Sequence, residues 1–238
     1  MKHFILVLLA TGLMACTPDG SGNGDASANR LAPQEAVRAA PKQADAIRRF
    51  TAVARRMAPV AEAACRARAP RAKCGFTITV DGDPEAASNA YQTEDRAGRP
   101  VIAFTQKLIA EVRNDHEIAF ILGHEAAHHI KGHLPVTTDA LITGAIEGEL
   151  MATIEGKDAK AVRRASAVGG LRAISGFSKE FELEADVLGA RIAFDAGYDP
   201  LVGAAYFRRM KDPGNKVLST HPPNAQRLAA VRHAVAGF

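Results

Sequence analysis

Apolar residues recur at two different spacings along the 238-residue chain, and each spacing predicts a different element. Between 42 and 68, Ile47, Phe50, Ala54, Met57, Ala61 and Ala64 follow one another at steps of three and four. That is the stripe of one helix face, with Pro59 placed to kink it. At 76–80 the pattern changes to strict alternation: Phe76, Ile78 and Val80 are separated by two threonines. Alternation predicts a short half-buried strand, closed by the turn residues Asp81-Gly82-Asp83-Pro84. PVIAF, residues 100–104, predicts a second and more apolar strand, after which Thr105 is placed to cap a helix through about Arg113.

The rest of the chain reads as helix. Asn114 and Glu117 have the spacing of a capping box and predict a helix from Asp115 to about Lys131, ended by Gly132 and Pro135. Residues 137–177 are rich in Ala and Gly and only weakly amphipathic, as in an adaptable or mobile pair of helices covering a site. Glu147 and Glu149 interrupt its most apolar part, which argues against a membrane span. A further helix is expected over about Lys179–Ala196, and Pro222-Pro223 precedes a short terminal one. The sum is an α+β fold, mostly helical with a small β-sheet and no internal repeat.

The N-terminal stretch belongs to a different class. MKHFILVLLATGLMAC carries Lys2, an apolar run too short for a transmembrane helix, and small residues before Cys16, as a secretory signal does. Leu13-Met14-Ala15-Cys16 resembles a bacterial lipobox, which implies cleavage before Cys16 and lipid on its sulfur. Residues 1–15 are accordingly read as a lipoprotein signal peptide, 16–30 as lipidated cysteine plus flexible tether, and 31–238 as the domain. The Gly/Ser/Asn/Asp-rich tether 17–30 has a reach of roughly 20 Å, enough to hold the domain off a membrane surface. Thr17 stands where an Asp would retain a lipoprotein at the inner membrane, so an outer-membrane location facing the periplasm is expected.

Export also bears on the cysteines. Cys65 and Cys74 remain as an even pair in a disulfide-permissive compartment and are expected to close the basic loop CRARAPRAKC. A net charge of +4 is mild, and the cluster Arg66, Arg68, Arg71 and Lys73 lacks the aromatic interleaving of a nucleic-acid surface. No nucleic-acid partner is expected.

Candidate chemistry sits in ILGHEAAHHIKGH, where four of the eight histidines fall between His124 and His133. His124-Glu125-Ala126-Ala127-His128 is the pattern H-E-x-x-H. Residues four apart share a helix face, so both imidazoles can reach one zinc ion. Glu125 lies about 100° around the helix and addresses an attacking water rather than the metal. By the same rotation His129 points away from His128, and His133 lies beyond Gly132. Both are expected to face solvent or act as C-terminal cations, with His116 and His233 on the surface. A catalytic zinc takes a third protein ligand, and FSKEFELEAD (177–186) offers Glu180, Glu182 and Glu184. Glu182 pairs with Asp186 on one face and Glu180 with Glu184 on another, and spacing alone does not choose between them.

GHEAAH followed by E-x-x-x-D in ELEAD resembles the zinc metallopeptidase family that contains the CAAX prenyl proteases and the bacterial heat-shock protease HtpX. Asn89-Ala90, VIAFT before the helix, and Ser219-Thr220-His221-Pro222-Pro223 with Arg227 extend the likeness over about residues 45–232. The resemblance implies a zincin-like (gluzincin) domain with one Zn2+ per chain, held by His124, His128 and Glu182. Asp186 would then orient a ligand histidine. It also places His221 near the metal, to cap its open position or to donate to an oxyanion, and Arg227 beside the site as an ion pair or buttress. No multi-span membrane region matches the prenyl proteases, so the likeness is to periplasmic lipoprotein-type members.

The expected activity is therefore that of a zinc metalloendopeptidase, with Glu125 as general base, acting on misfolded or unassembled envelope proteins. The strand near Val101–Phe104 is expected to offer its edge to extended substrate. Two other readings remain from the residues alone: a chaperone-like assembly factor with gated proteolysis, and a structural zinc lipoprotein. A base beside His124 argues against the last, since a structural site needs none.

Overall fold

The computed structural model describes residues 32–175, 177–214 and 221–238, with side chains from residue 43 onward. The signal peptide, Cys16 and the tether to residue 30 lie outside the described residues, as do Ser219 and Thr220. The chain divides at Ala40/Pro41, and the unit Pro41–Phe238 holds the fold.

Helix α1 (Ala32–Arg68) continues through Pro59. Its buried face is Phe50, Val53, Ala54, Met57, Ala61 and Cys65, with Ile47 left at the surface. Cys65 is joined to Cys74 by a disulfide, which turns the chain from the end of α1 toward the sheet.

The sheet has the order β1-β3-β2, with β1 (Thr77–Val80) parallel and β2 (Ala90–Glu94) antiparallel to β3 (Pro100–Phe104). One of these strands is new to the sequence reading, and one expectation is corrected. AYQTE is a strand although it is too polar to show alternation, because an edge position buries only part of it. PVIAF, the most apolar of the three, is the central strand, so its edges are taken and cannot receive substrate. The outer strands β1 and β2 each keep one edge unpaired within the sheet, and that of β2 bears on the site. Asn89 O accepts from the Thr105 N–H and the Asp95 N–H donates to Arg99 O. Ladder bonds therefore run through alternate residues, and the N–H groups of Ala90, Gln92 and Glu94 face away from β3.

Thr105 caps α2 (Gln106–Glu111) through its side chain. Asn114 caps α3 (Asp115–Lys131) by accepting the Glu117 N–H, while the Glu117 carboxylate receives the Arg113 N–H and a two-pronged contact from Arg209. Helix α3 is the centre of the molecule: Ile118, Ala119, Phe120, Leu122, Ala126 and Ala127 are all buried. It ends at Gly132, whose φ of 70° is left-handed. Pro135 does not terminate anything; it sits in the first turn of α4 (His133–Ile154), where a missing N–H costs nothing.

Helix α5 (Ala159–Ser175) folds back on α4, and α6 (Ser178–Asp195) then returns along α3. A short helix α7 (Pro200–Ala204), a 3-10 turn (Ala205–Arg208) and α8 (Asn224–Val235) complete the unit. Helices α3 and α6 meet at Gly123 and Gly189, so closely that a methyl on Gly123 would lie 2.5 Å from the Gly189 carbonyl oxygen. No described helix is long and apolar enough to cross a membrane.

Candidate metal centre

The glycine contact fixes which face of α6 looks at α3. Asp186 and Glu182 precede Gly189 by three and seven residues and share its face, so both turn inward and are buried. Ligand atoms of His124, His128 and Glu182 all lie within 4.8 Å of one another. The two histidine Nε2 atoms are 3.0 Å apart. Glu182 places Oε2 3.6 Å from His124 Nε2 and Oε1 3.5 Å from His128 Nε2. A tetrahedral zinc with bonds near 2.1 Å separates its ligand atoms by about 3.4 Å, so these three residues fit the ion. The donor set fits as well, since two lone-pair nitrogens turned on each other leave an electron-rich gap that a cation fills.

Around this cradle each residue is oriented by others. Asp186, fully buried, accepts two bonds from Arg227, each 2.7 Å, and its Oδ1 lies 2.9 Å from His124 Nδ1. The Arg227 guanidinium is also buried, 3.9 Å over the Phe207 ring. Burial raises the Glu182 carboxyl, but His128, His221, His124 and Arg227 together hold it well below the usual carboxylate range. His128 is pulled down by burial, yet contact with Glu182 leaves it raised.

His221 sets Nδ1 2.9 Å from Glu182 Oε2 and stays exposed, at the mouth of a cleft of about 390 Å³. Glu125, buried, lines the same cleft beside the two ligand histidines. Ser88, Asn89, Ala90, Tyr91 and Gln92 form one wall, which is the β2 edge. Leu134 and Thr137 of α4 and Ile174 of α5 contribute another, so the base of the helical pair borders the site. The arrangement brings together Glu125, His124, His128, Glu182, Asp186, Arg227 and His221; Cys65 and Cys74 lie outside the cleft.

Of the remaining histidines, His133 and His129 differ from expectation. His133 is no bystander: it is 4% exposed, stacked on Phe181, with Nδ1 2.9 Å from His128 Nδ1. Burial, then the neighbouring His128, pushes its imidazole down to about 4, so it is neutral near pH 7. Lying beyond Gly132 does not carry it away from the site, because the left-handed glycine redirects the chain and leaves His133 against His128. The glycine itself was the available signal. His129 rests Nε2 2.8 Å from the Lys73 carbonyl oxygen and packs edge-on against Phe76, tying α3 to the disulfide loop. His116 accepts the Asp199 N–H at the start of α7, and His233 is exposed.

Comparison with known proteins agrees with this chemistry. The model of Peptidase family M48 matches residues 48–235. Mitochondrial metalloendopeptidase OMA1 of Arabidopsis thaliana is 27% identical over 138 residues, 56% of this chain and 27% of that protein. Its namesake in Saccharomyces cerevisiae is 29% identical over 163 residues, 64% of this chain and 45% of that protein. The chain thus spans less than half the length of either relative. No solved structure matches.

Proposed function

The chain belongs to peptidase family M48, and from that premise we propose that it is a zinc-dependent endopeptidase of the bacterial envelope, acting on misfolded or unassembled proteins. The observation that carries the reading is the convergence of His124, His128 and Glu182 on one point, with Glu125 on the same cleft wall. A bound zinc would supply Lewis-acid polarisation of the scissile carbonyl and acidify the attacking water. Glu125 takes the proton from that water and passes it to the leaving amine. Asp186, clamped by Arg227, keeps His124 in one orientation. His221 stands where it can close the cleft at rest or donate to the developing oxyanion.

Substrate enters extended, pairing with the outward N–H groups of β2, and so is read by backbone more than by side chain. That suits unfolded chains of varied sequence. Gln92→Pro removes one of those N–H groups without touching the β2–β3 ladder. It should lower cleavage by about two- to tenfold, the worth of roughly one hydrogen bond, with zinc content unchanged; full cleavage by the variant rejects the edge.

The envelope location rests on the lipobox-like Leu13-Met14-Ala15-Cys16 and is supported by the Cys65–Cys74 disulfide. Anchoring through lipid on Cys16 to the outer membrane would hold the domain in the periplasm. A chaperone-like reading has one observation in its favour, the exposed aliphatic side chains of α4. Zinc-loaded full-length chain, assayed on an unfolded protein beside Glu125→Gln, separates the two. A protease loses roughly 10²–10⁴-fold in rate with zinc retained; equal behaviour of both chains favours the binder.

A further inference from the structure

We propose that His133 is a positioning residue of the metal centre: its Nδ1 accepts the Nδ1–H of His128 and so fixes the tautomer and ring angle that turn His128 Nε2 toward Glu182. The role rests on the reading of His124, His128 and Glu182 as a zinc site. It is the counterpart, for His128, of what Asp186 does for His124.

Only one proton fits between the two Nδ1 atoms, 2.9 Å apart. A ligand imidazole binds through an unprotonated nitrogen, and His128 Nε2 is the atom that faces His124 and Glu182. His128 therefore carries its hydrogen on Nδ1 and donates it. His133 must offer a bare Nδ1, which places its own hydrogen on Nε2. That Nε2 is buried, has no hydrogen-bond partner among the described residues, and lies 3.5 Å from Glu184 Oε2. The same oxygen is held by Lys131 Nζ at 3.0 Å, which keeps a carboxylate charge on the protonated side of the ring.

The ring is held as rigidly as the tautomer. It stacks on Phe181 with centroids 4.1 Å apart and planes 3° from parallel, while His128 meets it at 72°. The left-handed Gly132 brings residue 133 back over the last turn of α3, so both ends of the contact stand on helix termini that cannot drift apart. An aliphatic or aromatic side chain would fill this slot equally well. Among the described residues His133 offers the acceptor for the part-buried Nδ1–H of His128, and a neutral imidazole does so without adding charge.

Two substitutions separate accepting from packing. His133→Phe keeps the stack on Phe181 and deletes the acceptor; His133→Gln keeps an acceptor and deletes the stack. Zinc affinity of the full-length chain, measured by competition with a chromophoric chelator, should fall roughly 10–100-fold in His133→Phe. His133→Gln should recover most of that loss. Equal or tighter binding by His133→Phe than by His133→Gln assigns the residue to packing and overturns the proposal. If the parent chain binds no zinc, the metal reading itself falls, a result distinct from either order of the variants. A second measurement needs no variant: nitrogen NMR of the zinc-loaded, histidine-labelled chain should show Nδ1 protonated in His128 and bare in His133. The reverse arrangement overturns the proposal.

Discussion

Two antiparallel helix pairs in this molecule use the same device for opposite ends. Helices α3 and α6 touch at Gly123 and Gly189, and α4 and α5 touch at Gly144, Gly148 and Gly169. In the first pair the close approach buries His124, Glu125, Glu182 and Asp186, and His124 meets Glu182 and Asp186 across it. In the second it seals a seam of small residues, while Ile142, Ile146, Leu150 and Ile154 look outward, Ile146 60% and Ile154 71% exposed. The difference lies in what covers the outer faces. Helix α3 has the sheet and α7 against it as well as α6, so its polar groups cannot escape their pairing. The outer face of α4 meets none of the described elements. Close packing alone does not make a site; it makes one where surrounding elements remove every other place for the charges to go.

The comparison breaks first at its glycines. Gly123→Ala puts a methyl 2.5 Å from backbone oxygen in a pair that cannot separate, so the helices must shift by a sizeable fraction of an ångström. Destabilisation of about 3 kcal/mol or more is expected, the upper end of the overpacking range. Zinc binding should be lost with it, since the ligands of the two helices no longer converge. Thermal unfolding and chelator competition read both. Gly169→Ala creates a closer clash, 2.1 Å to the Gly144 carbonyl oxygen, yet should do less. The α4–α5 pair has room to splay on its uncovered side, so a cost of about 1–3 kcal/mol is expected with zinc affinity kept. Loss of zinc in Gly169→Ala would show that the two pairs are mechanically one.

The same contrast explains which parts were legible in the sequence. Thr105 and Asn114 announce the starts of α2 and α3 because a cap is a local hydrogen bond, and both receive the N–H expected of them. His124 and His128 read as a pair because four residues return a helix to its own face. Glu182 could not be told from Glu180 or Glu184, since an isolated helix has no phase; the phase comes from Gly189 against Gly123, a contact between residues 66 apart in sequence. Strand β2 stayed hidden because Ala90–Glu94 lies at an edge and carries no apolar alternation. His133 was misplaced because a residue beyond the glycine that ends α3 was taken to have left the site, whereas the left-handed Gly132 leaves it against His128. Local rules held wherever the partner was local.

The smallest effect tests the outer face of α4. Ile142, Ile146, Leu150 and Ile154 repeat every four residues, so they form one stripe along the helix. If water is what meets that stripe, Ile146→Lys and Ile154→Lys each move stability by no more than about 0.5 kcal/mol, as surface changes do. Zinc affinity and cleavage of a short peptide should not change either. Denaturant unfolding of the full-length chain gives the answer. A loss well above 1 kcal/mol would mean that something covers the stripe and that α4 is buried after all. The two helix pairs would then differ in what covers them and no longer in whether they are covered.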